Sequence, residues 1–122
     1  MGKINSRAKG ARFERTLARM IREHGYDAER GCQHSGGRDS PDVKTSMSGI
    51  HIEAKDVEKL NIWNALEQSK RDAGSDEIPV VMFKRNRTQV YVAMPFDEFM
   101  ELYKAWEKEQ KNGRDKKDSR TD

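Results

Sequence analysis

Asp42, Glu53 and Lys55 are the residues of this chain whose types and spacing suit chemistry. They fall in residues 41–55, PDVKTSMSGIHIEAK, which read as two short strands split at Ser48-Gly49. Glycine tolerates the positive φ that a two-residue hairpin turn needs. Pairing about that turn sets Met47 opposite Ile50, Thr45 opposite Ile52 and Val43 opposite Ala54. Alternation then gives one nearly apolar face, and one carrying Asp42, Lys44, His51, Glu53 and Lys55. On the second face Asp42 and Glu53 are diagonal neighbours, roughly 7–8 Å apart between backbones. Two carboxylates that close repel unless a cation lies between them, and carboxylate oxygens are the ligands that hard divalent ions such as magnesium prefer. With Lys55 beside them, the set suits metal-assisted phosphodiester hydrolysis. The ion activates a water; the lysine holds that water or stabilises the charge that develops. A solvated hairpin face would carry the same residue types, and a one-residue slip of register would scatter them.

The elements that must position this set can be read from periodicity. Residues 6–24 are helical, with Phe13, Leu17, Met20 and Ile21 as the apolar stripe, Ser6 as N-cap and Gly25 as the stop. Arg12, Arg15, Arg19 and Arg22 form a second stripe, suited either to phosphates or to plain solvation. Glu14 borders the apolar side, where a lone carboxylate is costly unless an arginine or a cation meets it. Residues 26–32 read as a first strand and residues 33–40, QHSGGRDS, as a loop, in which His34 and Arg38 could touch a phosphate. Asn61 caps a helix reaching about Ala73, with Ile62, Leu66, Ser69 and Ala73 on one side. Residues 78–83, IPVVMF, form a central strand covered on both faces. Residues 84–87, KRNR, make a basic turn, and residues 89–94 the next strand. Pro95 opens a last helix. Its Phe96, Phe99, Met100, Tyr103 and Trp106 serve mostly as core, or in part as a subunit interface.

Composition bounds the rest. The 122 residues, 34% hydrophobic and 37% charged, support one domain, taken as residues 1–106, followed by a charged tail at 107–122 expected to lack order. No run approaches a membrane span. Cys32, the single cysteine, allows no internal disulfide, so a reducing cytoplasm is the expected setting. Formal net charge is only +3. Its distribution is uneven, since within residues 1–22 Lys3, Arg7, Lys9, Arg12, Arg15, Arg19 and Arg22 stand against Glu14 alone, which marks the N-terminal element as a polyanion footprint.

Pro41-Asp42, a ten-residue gap, then Glu53-Ala54-Lys55 resembles the signature of the PD-(D/E)XK nucleases. Lys9-Gly10-Ala11-Arg12-Phe13-Glu14-Arg15 resembles the KGxxxER motif of archaeal-type and phage Holliday-junction resolvases. The resemblance covers roughly residues 7–105. It implies an α/β, restriction-endonuclease-like core, a mixed central sheet flanked by helices in the order α-β-β-β-α-β-β-α. It implies Asp42, Glu53, Glu14 and the Ala54 carbonyl as ligands of Mg2+, with Mn2+ as a substitute. Lys55 would position the water and Gln68 support it, giving a catalytic set of Glu14, Asp42, Glu53, Lys55 and Gln68. Ser35 is the match to a serine that contributes in that family. DNA would be met by Lys9, Arg12, Arg15, Arg19, Ser35, Arg38, Arg85 and Arg87. A homodimer cutting branched DNA during recombination or phage DNA processing is the expected actor. The alternatives are a nuclease of the same core acting on ends, flaps or duplex, and a non-catalytic DNA-binding module.

Overall fold

The computed structural model describes residues 5–31 and 41–118. Its elements are α1 (Ser6–Glu23), β1 (Ala28–Arg30), β2 (Val43–Thr45), β3 (Ile50–Asp56), α2 (Ile62–Asp72), β4 (Ile78–Lys84), β5 (Tyr91–Ala93) and α3 (Phe96–Asp118). The order is the expected one, and the sheet is mixed. It runs β1-β2-β3-β4-β5, with β3 and β4 parallel and the other neighbours antiparallel. This is a restriction-endonuclease-like α/β arrangement, in which the crossover helix α2 joins the parallel pair.

The apolar stripe of α1 buries Phe13, Leu17, Ala18 and Ile21 against Ala28, Val43, Ile52 and Ala54, and this is the core. The stripe repeats at helical spacing because only that period keeps one face on the sheet. Asn5, not Ser6, caps α1: its side chain accepts the Ala8 N–H at 3.1 Å. Asn61 caps α2 as expected. On the opposite sheet face α2 buries Ala65 and Ser69. The Ser69 hydroxyl reaches the carbonyls of Val80 (3.1 Å) and His51 (3.3 Å), stapling the helix across the β3–β4 seam. Val80 and Val81 are both buried, as a central strand covered on both faces requires.

Three expectations need correction. The hairpin register pairs Val43 with Ile52, not with Ala54. Thr45 and Ser46 explain the shift. The Thr45 hydroxyl donates to the Asp27 carbonyl, and Ser46 exchanges hydrogen bonds with Asp27, so this end of β2 is held to the β1 side rather than folded tightly onto β3. Because the offset is even, every side chain keeps its face. Gly49 does take positive φ (87°) at the turn. Secondly, of the two readings of the face carrying His51 and Glu53, the solvated one fails, since α2 covers it. Thirdly, Phe96, Phe99, Tyr103 and Trp106 are exposed rather than core, because α3 lies past the edge strand β5 with no extensive packing on the other described elements. The helix also continues beyond Trp106 to Asp118.

Candidate active site

The strand pair carrying Asp42 and Glu53 stops being an ordinary ladder at Pro41, which has no N–H to give. The Asp42 N–H donates to the Ile52 carbonyl at 3.0 Å. The Ala54 N–H then goes to the Asp42 side chain, Oδ2, at 2.8 Å. A carboxylate thus does the accepting on β3, which fixes its rotamer beside Glu53. On the other flank the Gly31 N–H donates to the Asp42 carbonyl at 2.8 Å. A Cβ at Gly31 would run into the Pro41 carbonyl, so only glycine permits this close approach of the β1 end.

These anchors open a cleft of about 510 Å³ lined by Glu14, Arg30, Asp42, Glu53, Ala54, Lys55 and Gln68, together with the first turns of α1. Glu14 is there because it sits on the edge of the buried stripe of α1 and points past the sheet end. Arg30 Nε donates to its Oε1 at 2.8 Å. Burial nevertheless keeps the Glu14 carboxyl above its usual range, and the Asp42 charge adds to this against the pull of Arg30. Lys55 Nζ is 3.8 Å from Glu53 Oε1. Glu53 is only 3% exposed. Burial first, then the Asp42 charge and a carboxyl–carboxyl hydrogen bond with Asp42, push its pKa up to about 8, against the opposing pull of Lys55.

The cluster therefore holds three acids against one arginine and one lysine in partly dry surroundings. Burial and the neighbouring Asp42 charge make the ionised form of Glu53 costly there. That donor set fits a hard divalent cation, with carboxylate oxygens as ligands. Glu14, Asp42, Glu53, Ala54, Lys55 and Gln68 all line the one cleft.

Lys9 stands on the cleft wall, its ammonium 3.7 Å from Asp56 Oδ1. The same two residues also line a groove of about 770 Å³ on the far side, with Arg12, Lys84 and Asn86. Arg85 and Arg87 are exposed in the turn beyond it, closed by the Thr88 hydroxyl on the Arg85 backbone. Arg15 is exposed on α1. Arg19 is engaged with Glu23 at 2.7 Å, and Arg22 donates to the Ala28 carbonyl at 2.7 Å, so the arginine stripe is not uniformly free. Ser35, Arg38 and His34 lie outside the described residues. Sequence reasoning gave no role to Arg30 or Gly31; both lie at the end of a short strand just before the loop, where periodicity carries no signal.

A mixed five-stranded sheet, a helix on each face and an acid cluster where β2 leaves β3 define a restriction-endonuclease-like nuclease class. Compared with protein families, residues 5–120 match the family described as phage putative PDDEXK endonuclease. The match spans nearly the whole chain, and the chain belongs to that family. A search of curated proteins gives no match.

Proposed function

We propose that this chain is a metal-dependent DNA endonuclease that resolves branched DNA, and that the acid cleft is its catalytic centre. The observation that carries the reading is the convergence of Glu14, Asp42, Glu53, Lys55 and Gln68 on one cleft. Asp42 and Glu53, with Glu14 and the Ala54 carbonyl, would hold Mg2+, or Mn2+ in its place. The bound ion would supply an acidified water and charge neutralisation at the phosphate. Lys55 orients the attacking water and offsets negative charge as it develops. Gln68, on α2, holds that water from the opposite wall. Arg30 keeps Glu14 turned inward.

DNA would cross the cleft and continue over the Lys9–Asp56 wall into the basic groove. Lys9, Arg12, Arg15, Arg85 and Arg87 would track its backbone, with Arg19 a weaker contributor because Glu23 engages it. Such contacts position DNA and carry little sequence information. Preference for four-way junctions is supported by the KGxxxER stretch at residues 9–15. Symmetric cutting of a junction needs two centres related by a two-fold axis. Support for a homodimer comes from β5, a sheet edge with Tyr91 and Val92 exposed, continuous with the exposed Phe96, Phe99, Tyr103 and Trp106 of α3. Among the described residues no helix is long and apolar enough to cross a membrane, and a cytoplasmic setting in a phage-infected cell fits this reading.

The deciding experiment offers four-way, flap, duplex and single-stranded DNA side by side with Mg2+. Symmetric nicks in the four-way substrate are expected. Equal cutting of all four would replace the resolvase reading by a general nuclease, and binding without cutting would leave a DNA-binding module.

A further inference from the structure

His51 lies on β3 two residues before Glu53 and is completely buried under α2. Neither of its ring nitrogens has a hydrogen-bond partner. Unsatisfied buried polar atoms are costly and uncommon. A histidine chosen only to fill space under α2 would be replaced at less cost by an apolar residue. One ring nitrogen, one Glu53 oxygen and one oxygen of Asp72, from the last turn of α2, all lie within 4.8 Å of one another. Glu77 Oε1 stands a further 3.8 Å from Nδ1 of the same ring. The described residues hold no other such group of three histidine, cysteine or acidic ligands.

We propose that His51, Glu53 and Asp72 form a second cation site, behind the acid cleft, for a divalent transition ion. Imidazole with carboxylates suits manganese, iron or zinc, whereas an all-oxygen set suits magnesium. Three ligand atoms bound to one ion at about 2.0–2.2 Å stand at most roughly 3.8 Å from each other, so the three groups need to close by up to about 1 Å. Glu53 has two oxygens and serves both sites. Asp72 is half-buried and gives the ion its way in from solvent. Glu77, 3.8 Å from Nδ1, would have to close on the ring to orient it, the usual role of a carboxylate next to a metal-binding histidine.

Mn2+ binding to the full chain, stripped with EDTA, tests this without reference to cleavage. Titration followed by electron paramagnetic resonance is expected to find a Mn2+ ion that excess Mg2+ does not displace, with nitrogen hyperfine modulation from an imidazole. Asp42→Asn, which lies in the front cleft only, should keep that ion. His51→Gln and Asp72→Asn should each weaken it by about tenfold or more, and His51→Gln should remove the nitrogen signal. Circular dichroism checks the fold of the His51 variant, and the half-exposed Asp72→Asn serves if that variant does not fold. Unchanged Mn2+ affinity in Asp72→Asn, or nitrogen modulation surviving in folded His51→Gln, would overturn the site. An inactive protein that still binds Mn2+ through His51 would leave this inference standing and sink the nuclease reading alone.

Discussion

Asp42 Oδ2 accepts the backbone N–H of Ala54 at 2.8 Å. An acid from just before β2 is thereby tied to the strand that carries Glu53 and Lys55, and is fixed there before any cation arrives. A preorganised acidic pair of this kind is costly in the free protein: burial first, and then the Asp42 charge, raise the pKa of Glu53. Binding of a cation relieves that cost.

Replacing either acid separates chemistry from binding. Asp42→Asn and Glu53→Gln should each lower the cleavage rate by about a hundredfold or more, the order seen when a group acting in the transition state is lost. Affinity for junction DNA should fall by less than a few-fold or rise slightly, as negative charge leaves the cleft. Gel-shift affinity in Ca2+ and single-turnover rates in Mg2+ measure the two. Normal rates in both variants would place the chemistry elsewhere.

Metal removal and pH act through the same pair. Glu53 has a folded pKa of about 8 against an ordinary value of 4.5. In the metal-free protein the folded state holds a proton that the unfolded chain has lost. Its stabilising effect is complete below the usual carboxylate range and is lost as pH rises through about 8. Thermal melts in EDTA should therefore show stability falling over that window by roughly 1 kcal/mol per pH unit, and Glu53→Gln should flatten the slope. Cleavage at limiting Mg2+ should rise with pH over the same window, with more Mg2+ moving the profile to lower pH. Full activity in excess EDTA would refute the metal reading.

Gly31→Ala tests the backbone that carries Asp42. The new methyl meets the Pro41 carbonyl, which cannot move without breaking the Gly31–Asp42 hydrogen bond. A loss of about 1–3 kcal/mol is expected, read from urea denaturation, with cleavage reduced beyond what unfolding explains. Gly25, whose Cβ would meet nothing but whose φ is 94°, should be costly to substitute through backbone strain alone and leave the rate per folded molecule unchanged.

The arginine stripe should prove uneven. Arg12→Ala removes a cation from the groove beside Lys84, and the slope of log affinity against log salt should shrink by about 0.9 for one phosphate contact. Arg19→Ala should change it less, because Glu23 already engages that guanidinium. Fluorescence anisotropy across a KCl series decides it; identical slopes for wild type and Arg12→Ala would remove α1 from the footprint.

For the subunit contact, Phe99→Asp with Trp106→Asp places charge on the exposed face of α3. Sedimentation velocity should show the pair of substitutions converting dimer to monomer while the fold is kept, since neither ring belongs to the core. A wild-type monomer at all concentrations would remove the two-fold model of cutting.

The chain's sequence alone determined the elements and their order, and singled out candidates for the acid set. Those follow from periodicities of about 3.6 and 2, from Gly49 and Asn61 as local signals, and from Glu53 and Lys55 sharing one face of a strand that the hairpin brings beside Asp42. Glu14 was legible because a carboxylate on a buried stripe needs a reason. Tertiary structure decided what depends on distant partners. Asp27, far from β2 in sequence, shifted the hairpin register through Thr45 and Ser46. The crossover helix α2 turned a hairpin face that pattern allows to be solvated into a dry layer around His51 and Glu53. The exposed aromatics of α3 follow the same rule: helical spacing says that a face is apolar, and only the packed fold says whether anything covers it.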